Sequence, residues 1–87
     1  MKRYADAIES FDEAILLEPT RESTWNFKGV CFFVLEKYGK ALECFDRATK
    51  LSPQFAVAWH NKHGVLLKLG KKKEADKCYE KLKNLRK

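Results

Sequence analysis

The chain has 87 residues, 45% of them hydrophobic and 13% aromatic, which makes one small folded domain and excludes a disordered chain. The net charge of +6 hides a gradient: three bases against six acids over residues 1–22, six against three over 23–67, and nine against three over 68–87. Three cysteines, Cys31, Cys44 and Cys78, are odd in number and form no close pair, which argues against a secreted disulfide scaffold and for a reducing, cytoplasmic compartment.

Met1 to Asp6 lead into an amphipathic acidic segment, which does not read as a signal peptide. No apolar run approaches the roughly 20 residues of a membrane span, so no membrane partner is expected. From Tyr4 to Leu17 the apolar residues Tyr4, Ala7, Ile8, Phe11, Ala14 and Ile15 recur at spacings of three and four, which predicts a helix. It closes at Glu18-Pro19-Thr20, because proline disfavours a helical residue before it. A second helix is predicted from about Glu22 to Leu35, with Thr20 or Ser23 as its cap. The chain then turns around Lys37–Lys40, with Gly39 as the breaker, and a third helix runs to about Leu51. Ser52-Pro53 ends it, and Ser52 is a cap for the fourth helix. Residues 56–69 make that fourth helix, Gly70 breaks it, and Lys72 to Leu85 make the fifth. No segment alternates with a period of two, so the fold class is all-α, five antiparallel helices with short turns.

A 34-residue echo organises these helices. Ala7 falls on Ala41 and Ala75, Phe11 on Phe45 and Tyr79, Asp12 on Asp46 and Glu80, Trp25 on Trp59, Tyr4 on Tyr38, and Pro19 on Pro53. A fixed period of this size marks stacked repeats, and a stack offers a surface for a partner more readily than a pocket for chemistry. Small residues (Ala7, Ala14, Gly29, Ala41, Ala48, Ala75) sit among the bulky Trp25, Phe32, Phe45, Trp59 and Tyr79. Helix axes approach closely only where side chains are small, so this alternation is a packing code.

On these residues the chain resembles the tetratricopeptide repeat family, whose sparse pattern is W-x₂-L-G-x₂-Y…A-x₃-F…P over 34 residues. Trp25, Gly29, Phe32, Ala41, Phe45, Ala48 and Pro53 supply a whole repeat, and Trp59, Leu66, Ala75, Tyr79 and Leu82 supply the next. Tyr4, Ala7, Phe11, Ala14 and Pro19 look like the second helix of a further repeat. The resemblance thus implies one domain over residues 1–87: half a repeat at 1–20, a full repeat at 21–54, and a full repeat with a basic terminal helix at 55–87. Lys28 and Lys62 stand where the family has leucine, and His63 stands where it has glycine, with Gly64 one place late. The His63 departure is expected to loosen the last hairpin.

The resemblance implies a right-handed superhelix whose first helices line a concave groove that holds a peptide or helix of another protein. Carried over by spacing, the groove takes Ser23, Asn26, Val30, Phe33 and Val34 from one repeat. Val57, His60, Asn61, Gly64, Leu67 and Lys68 come from the next. This mixed surface suits apolar anchors with an acidic residue near Lys68. Some relatives hold chaperone tails in a carboxylate clamp of lysines, asparagines and an arginine. Only Asn61 has a counterpart here, while Ser23, Asn26 and Val57 break that pattern, so chaperone-tail binding is not expected.

Other chemistries find little support. Trp25 and Trp59 follow the repeat spacing and are expected in the core. The cysteines lack the close pairs of a metal site, and His60 and His63 share a helix face without a third ligand, so no metal or other cofactor is expected. No phosphate loop or nucleophile motif appears, and the reading is not that of an enzyme. The nine cations from Lys68 to Lys87 raise nucleic-acid binding, but Glu74, Asp76 and Glu80 interrupt them, and a solvated outer face on a terminal helix is the simpler account. Self-association is the third reading: Tyr4, Ile8, Phe11 and Ile15 form an apolar face that a second copy could cover.

Overall fold

The structure is a computed structural model that describes residues 2–86; Met1 and Lys87, the outermost residues of the expected domain, lie outside that range. Five helices follow in order: α1 (Lys2–Leu17), α2 (Glu22–Val34), α3 (Tyr38–Leu51), α4 (Ala56–Lys68) and α5 (Lys72–Leu85). Each packs against the next, and among the described residues the only contact that skips a neighbour is between α2 and α4. The chain is therefore an all-α helical-repeat solenoid, with α2 and α4 side by side on the inner side and α1, α3 and α5 apart from one another on the outer side.

Several boundaries differ from the sequence-based expectation for local reasons. Gly39 does not break the chain but lies in the first turn of α3, and the turn before it is made by Glu36 at a φ of 62°. Gly70, 34 residues on, holds the same left-handed conformation at a φ of 74°, where a glycine meets no steric penalty. Neither Thr20 nor Ser23 caps α2: Arg21 precedes it without a side-chain cap. Ser52 closes α3 rather than capping α4, and its carbonyl accepts the Phe55 N–H at 3.1 Å. Backbone turns thus do the work that capping side chains were expected to do.

The core runs through α3. Ala41, Phe45 and Val65 form one buried cluster, with Phe32, Phe33, Tyr38 and Leu42 packed on it, and Leu66, Ala75 and Cys78 form the second with Leu42 and Trp59. Leu42 joins the two. Gly29 explains how α2 and α3 come together: a Cβ there would lie 2.6 Å from the Phe45 ring, which is only 1% exposed. The tryptophans are half-buried rather than fully in the core, and each indole N–H donates to a proline carbonyl six residues earlier, Trp25 to Pro19 at 2.9 Å and Trp59 to Pro53 at 2.8 Å. On α1 the expected open face, Tyr4, Ile8, Phe11 and Ile15, is half-buried; Phe11 stacks on Phe27 of α2 at 6.0 Å. Leu16 and Leu17 are the side chains left bare, each 84% exposed.

The His63 departure has a visible consequence. In the second hairpin His63 and Tyr79 occupy the places of Gly29 and Phe45. The Tyr79 ring stands 6.0 Å from the imidazole and is 53% exposed. Two causes combine: the imidazole takes the space that Gly29 leaves open, and no described helix covers Tyr79 as α4 covers Phe45.

The helical glycines at 29 and 64 predict opposite responses to alanine. Gly29→Ala gains about 1 kcal/mol of helix propensity but forces a methyl against a ring that cannot move, and overpacking costs about 1–3 kcal/mol. Nothing lies within 4 Å of a Cβ at Gly64, so Gly64→Ala keeps the propensity gain. Thermal melts of both variants should show Tm falling for the first and rising for the second.

Candidate functional site

The inner face of α2 and α4 holds a recess of about 250 Å³ lined by Val30, Phe33, Phe45, His60, Asn61 and Gly64. Its position comes from the stack. α2 and α4 meet only lightly, so a furrow remains between them, and the buried Phe45 of α3 forms its floor. Five of these six residues were expected at the groove from spacing; Phe45 was not, because sequence places it among core residues of the outer layer. The recess is apolar, with one amide and one imidazole at its edge.

The remaining expected residues fall elsewhere. Asn26 is only 4% exposed, and its Oδ1 accepts a hydrogen bond from Asn61 Nδ2 at 2.9 Å. It holds Asn61 from beside the recess and is not part of the lining, although spacing alone placed it on the groove surface. The bond ties α2 to α4 at the rim of the recess. Val34 and Ser23 lie on α2 outside it, Val34 exposed and Ser23 half-buried. Leu67 and Lys68 are exposed at the end of α4, and Val57 is exposed near its start, beside a different recess with Ala56, His60, Leu82 and Arg86.

A repeated polar unit joins the layers, and the sequence pattern alone did not assign it. Lys28 pairs with Asp12, and Lys62 pairs with Asp46 at 2.8 Å, the same pairing 34 residues apart. The Lys28 ammonium lies 5.6 Å from the Trp25 ring centre and that of Lys62 5.1 Å from Trp59. A lysine at the family's leucine position thus lays its stem against the stack and sends its charge to the carboxylate of the preceding outer helix. The double echo of Lys28 with Lys62 and Asp12 with Asp46 was the signal available to find it.

The three free cysteines are buried, and burial raises each thiol above its usual range; Cys44 is pushed up to about 11, with Lys28 opposing and Glu43 and Asp12 adding to the effect. A nucleophilic thiol needs the opposite shift. Among the described residues no group of three or more metal-ligating side chains comes together, and no helix is long and apolar enough to cross a membrane.

A furrow between inner helices, built on a stack of helical hairpins, defines a helical-repeat protein. Residues 23–55 and 56–87 each match the family described as Tetratricopeptide repeat, and the chain belongs to that family. Among solved structures, the first TPR of Spaghetti (RPAP3) bound to the HSP90 peptide SRMEEVD superposes with a TM-score of 0.92 at 23% identity, over 97% of this chain and 67% of that one. MamA gives a TM-score of 0.91 at 26% identity, over 94% of this chain and 48% of its own. The Sgt2 TPR domain from Aspergillus fumigatus gives 0.91 at 22% identity, over 98% of this chain and 56% of that one. The chain thus spans between about half and two thirds of these relatives. No curated protein matches the sequence.

Cys44 predicts a particular pH response. Its thiol ionises near 9.0 in the unfolded chain and only near 11 in the folded one, so above 9 the unfolded state sheds the proton first. Stability should be unaffected by this group below pH 9 and fall by about 2–3 kcal/mol between pH 9 and 11. Urea unfolding of the wild type and of Cys44→Ala across that range checks it: the variant's slope with pH should be the shallower.

Proposed function

We propose that the chain is a protein-interaction module that holds an apolar-anchored peptide or helix of a partner in the furrow between α2 and α4. The observation that carries this reading is the recess over Phe45, where Val30 and Phe33 offer an apolar wall and Asn61, fixed by Asn26, offers a hydrogen-bonding amide at the rim. A mostly apolar concavity with a few placed polar groups is the usual form of a ligand site. The fold is one of interaction scaffolds rather than of enzymes. The solved relatives of this shape include domains bound to an HSP90 peptide, which supports a peptide as the class of ligand. The acidic end of such a peptide finds no lysine or arginine in the lining of the recess, which is Val30, Phe33, Phe45, His60, Asn61 and Gly64. An aliphatic or aromatic side chain is therefore the anchor. Three buried free thiols fit a reducing compartment such as the cytoplasm.

Gly64 provides the test. The Cβ of a leucine there meets nothing within 4 Å, and the rest of its side chain is expected to fill the recess. Peptides selected from a display library on the wild type should shift the amide resonances of Asn61 and Gly64. Gly64→Leu, with an unchanged or raised Tm, should weaken their binding by about tenfold or more, roughly 1.4 kcal/mol. Selected peptides that bind the variant as well as the wild type would remove the furrow as the site.

A second reading, pairing of copies through α1, has one observation in its favour: Leu16 and Leu17 are bare on its surface. Sedimentation across a hundredfold range of concentration decides it. Pairing predicts a mass that rises with concentration and is held at the monomer by Leu16→Glu with Leu17→Glu; a constant monomer ends the idea.

A further inference from the structure

The second hairpin departs from the first most sharply at its open end, and the departures share one chemistry. Where the first repeat has Asn26, Gly29, Phe45, Thr49 and Ser52, the second has His60, His63, Tyr79, Lys83 and Arg86. Four of the five changes introduce or enlarge a hydrogen-bond donor, and the fifth exchanges an amide for an imidazole. His60 and His63 are three apart on α4, and Tyr79, Lys83 and Arg86 are spaced by four and three along α5 and the residue that closes it, so each set forms one stripe. The stripes face each other. Together with Leu82, these five side chains line a recess of about 180 Å³. The Tyr79 ring bridges the stripes, 6.0 Å from the His63 ring and 5.3 Å from the Lys83 ammonium.

The geometry points to a second binding site at this end of the α4–α5 hairpin, where the two histidines, Tyr79, Lys83 and Arg86 take a phosphomonoester carried on a peptide side chain. Two cations, a hydroxyl and two imidazoles from two helices suit a dianion with three free oxygens better than a planar carboxylate. The acidic neighbours do not close the site. Glu80 pairs with Lys83 at 3.1 Å, but both side chains are more than half exposed, and such a pair is weak enough for a dianion to displace. The peptide part of the ligand rests on the interaction-module reading above, and has its own footing in the adjoining recess of about 310 Å³. There Ala56, Val57 and Leu82 offer an apolar shelf that shares His60 and Arg86 with the donor cluster. A nucleic-acid backbone fits less well, because Glu74, Asp76 and Glu80 interrupt the cations along α5 and the donors gather in one recess instead of a track.

Three titrations followed by NMR test this: sodium phosphate against sodium chloride at equal ionic strength, a phosphoserine peptide with a neighbouring valine against its unphosphorylated twin, and a single-stranded oligonucleotide without terminal phosphates. Phosphate, and not chloride, should move the side-chain resonances of His63, Tyr79 and Arg86. The phosphopeptide should bind about tenfold or more tighter than its twin. Lys83→Gln with Arg86→Gln should abolish that preference, as should His63→Gly with Tyr79→Phe, which restores the residues of the first repeat. Gly64→Leu should leave it intact, so failure of the furrow and failure of this site are told apart. Shifts no different from those with chloride would overturn the site. Equal binding of the two peptides would overturn the peptide as the carrier, and tighter binding of the oligonucleotide at the same resonances would make it a nucleic-acid site.

Discussion

The Phe45 ring packs against the bare backbone of Gly29 and also against Val65, so a single side chain joins α2, α3 and α4. The contact exists only because position 29 carries no side chain, which lets the inner helix come down on the ring. Its consequences extend past the core. The same ring, sealed from solvent on the outer layer, is the floor of the recess between α2 and α4. The apolar furrow is a by-product of how the first hairpin closes.

The second hairpin lacks that contact and takes a different form. His63 stands where Gly29 would, and the Tyr79 ring stays out in solvent. Beside that ring lies a polar recess in which α4 and α5 present donors to each other. The stack thus has an apolar furrow between its two repeats and a cationic end on the second, with His60 lining both recesses.

Between these faces, electrostatics keep the layers in register. Asp12 with Lys28 and Asp46 with Lys62 link each outer helix to the next inner one, and the lysines lie over the tryptophans whose indoles hold the proline turns. Partly exposed pairs of this kind add little energy each, but their fixed spacing along the stack favours one stagger of the helices over others. Asn61 donating to Asn26 does the same at the rim of the furrow, with a buried oxygen that needs its donor.

Most of the fold was legible in the chain because its causes are local or strictly periodic. Apolar spacing of three and four gives helices, proline and glycine give their ends within a few residues, and the 34-residue recurrence of alanine, glycine and aromatic positions sets which helices pair. The small errors, Gly39 inside α3 and Ser52 closing a helix instead of capping the next, arose where backbone turns satisfied groups that a side chain could have satisfied instead. Residues of the furrow could be named from the same periodicity, but their roles could not. Whether Asn26 meets a ligand or is buried under Asn61, whether Lys28 is a misfit or a partner for Asp12, and whether Phe45 is core or floor depend on contacts between residues 16 to 35 apart. Those contacts are set by how closely and at what stagger the helices pack. Sequence by itself determined the helices and their order, since those come from local spacing; only the tertiary structure decided which polar groups are paired and which surfaces are left open, since burial belongs to the assembled stack.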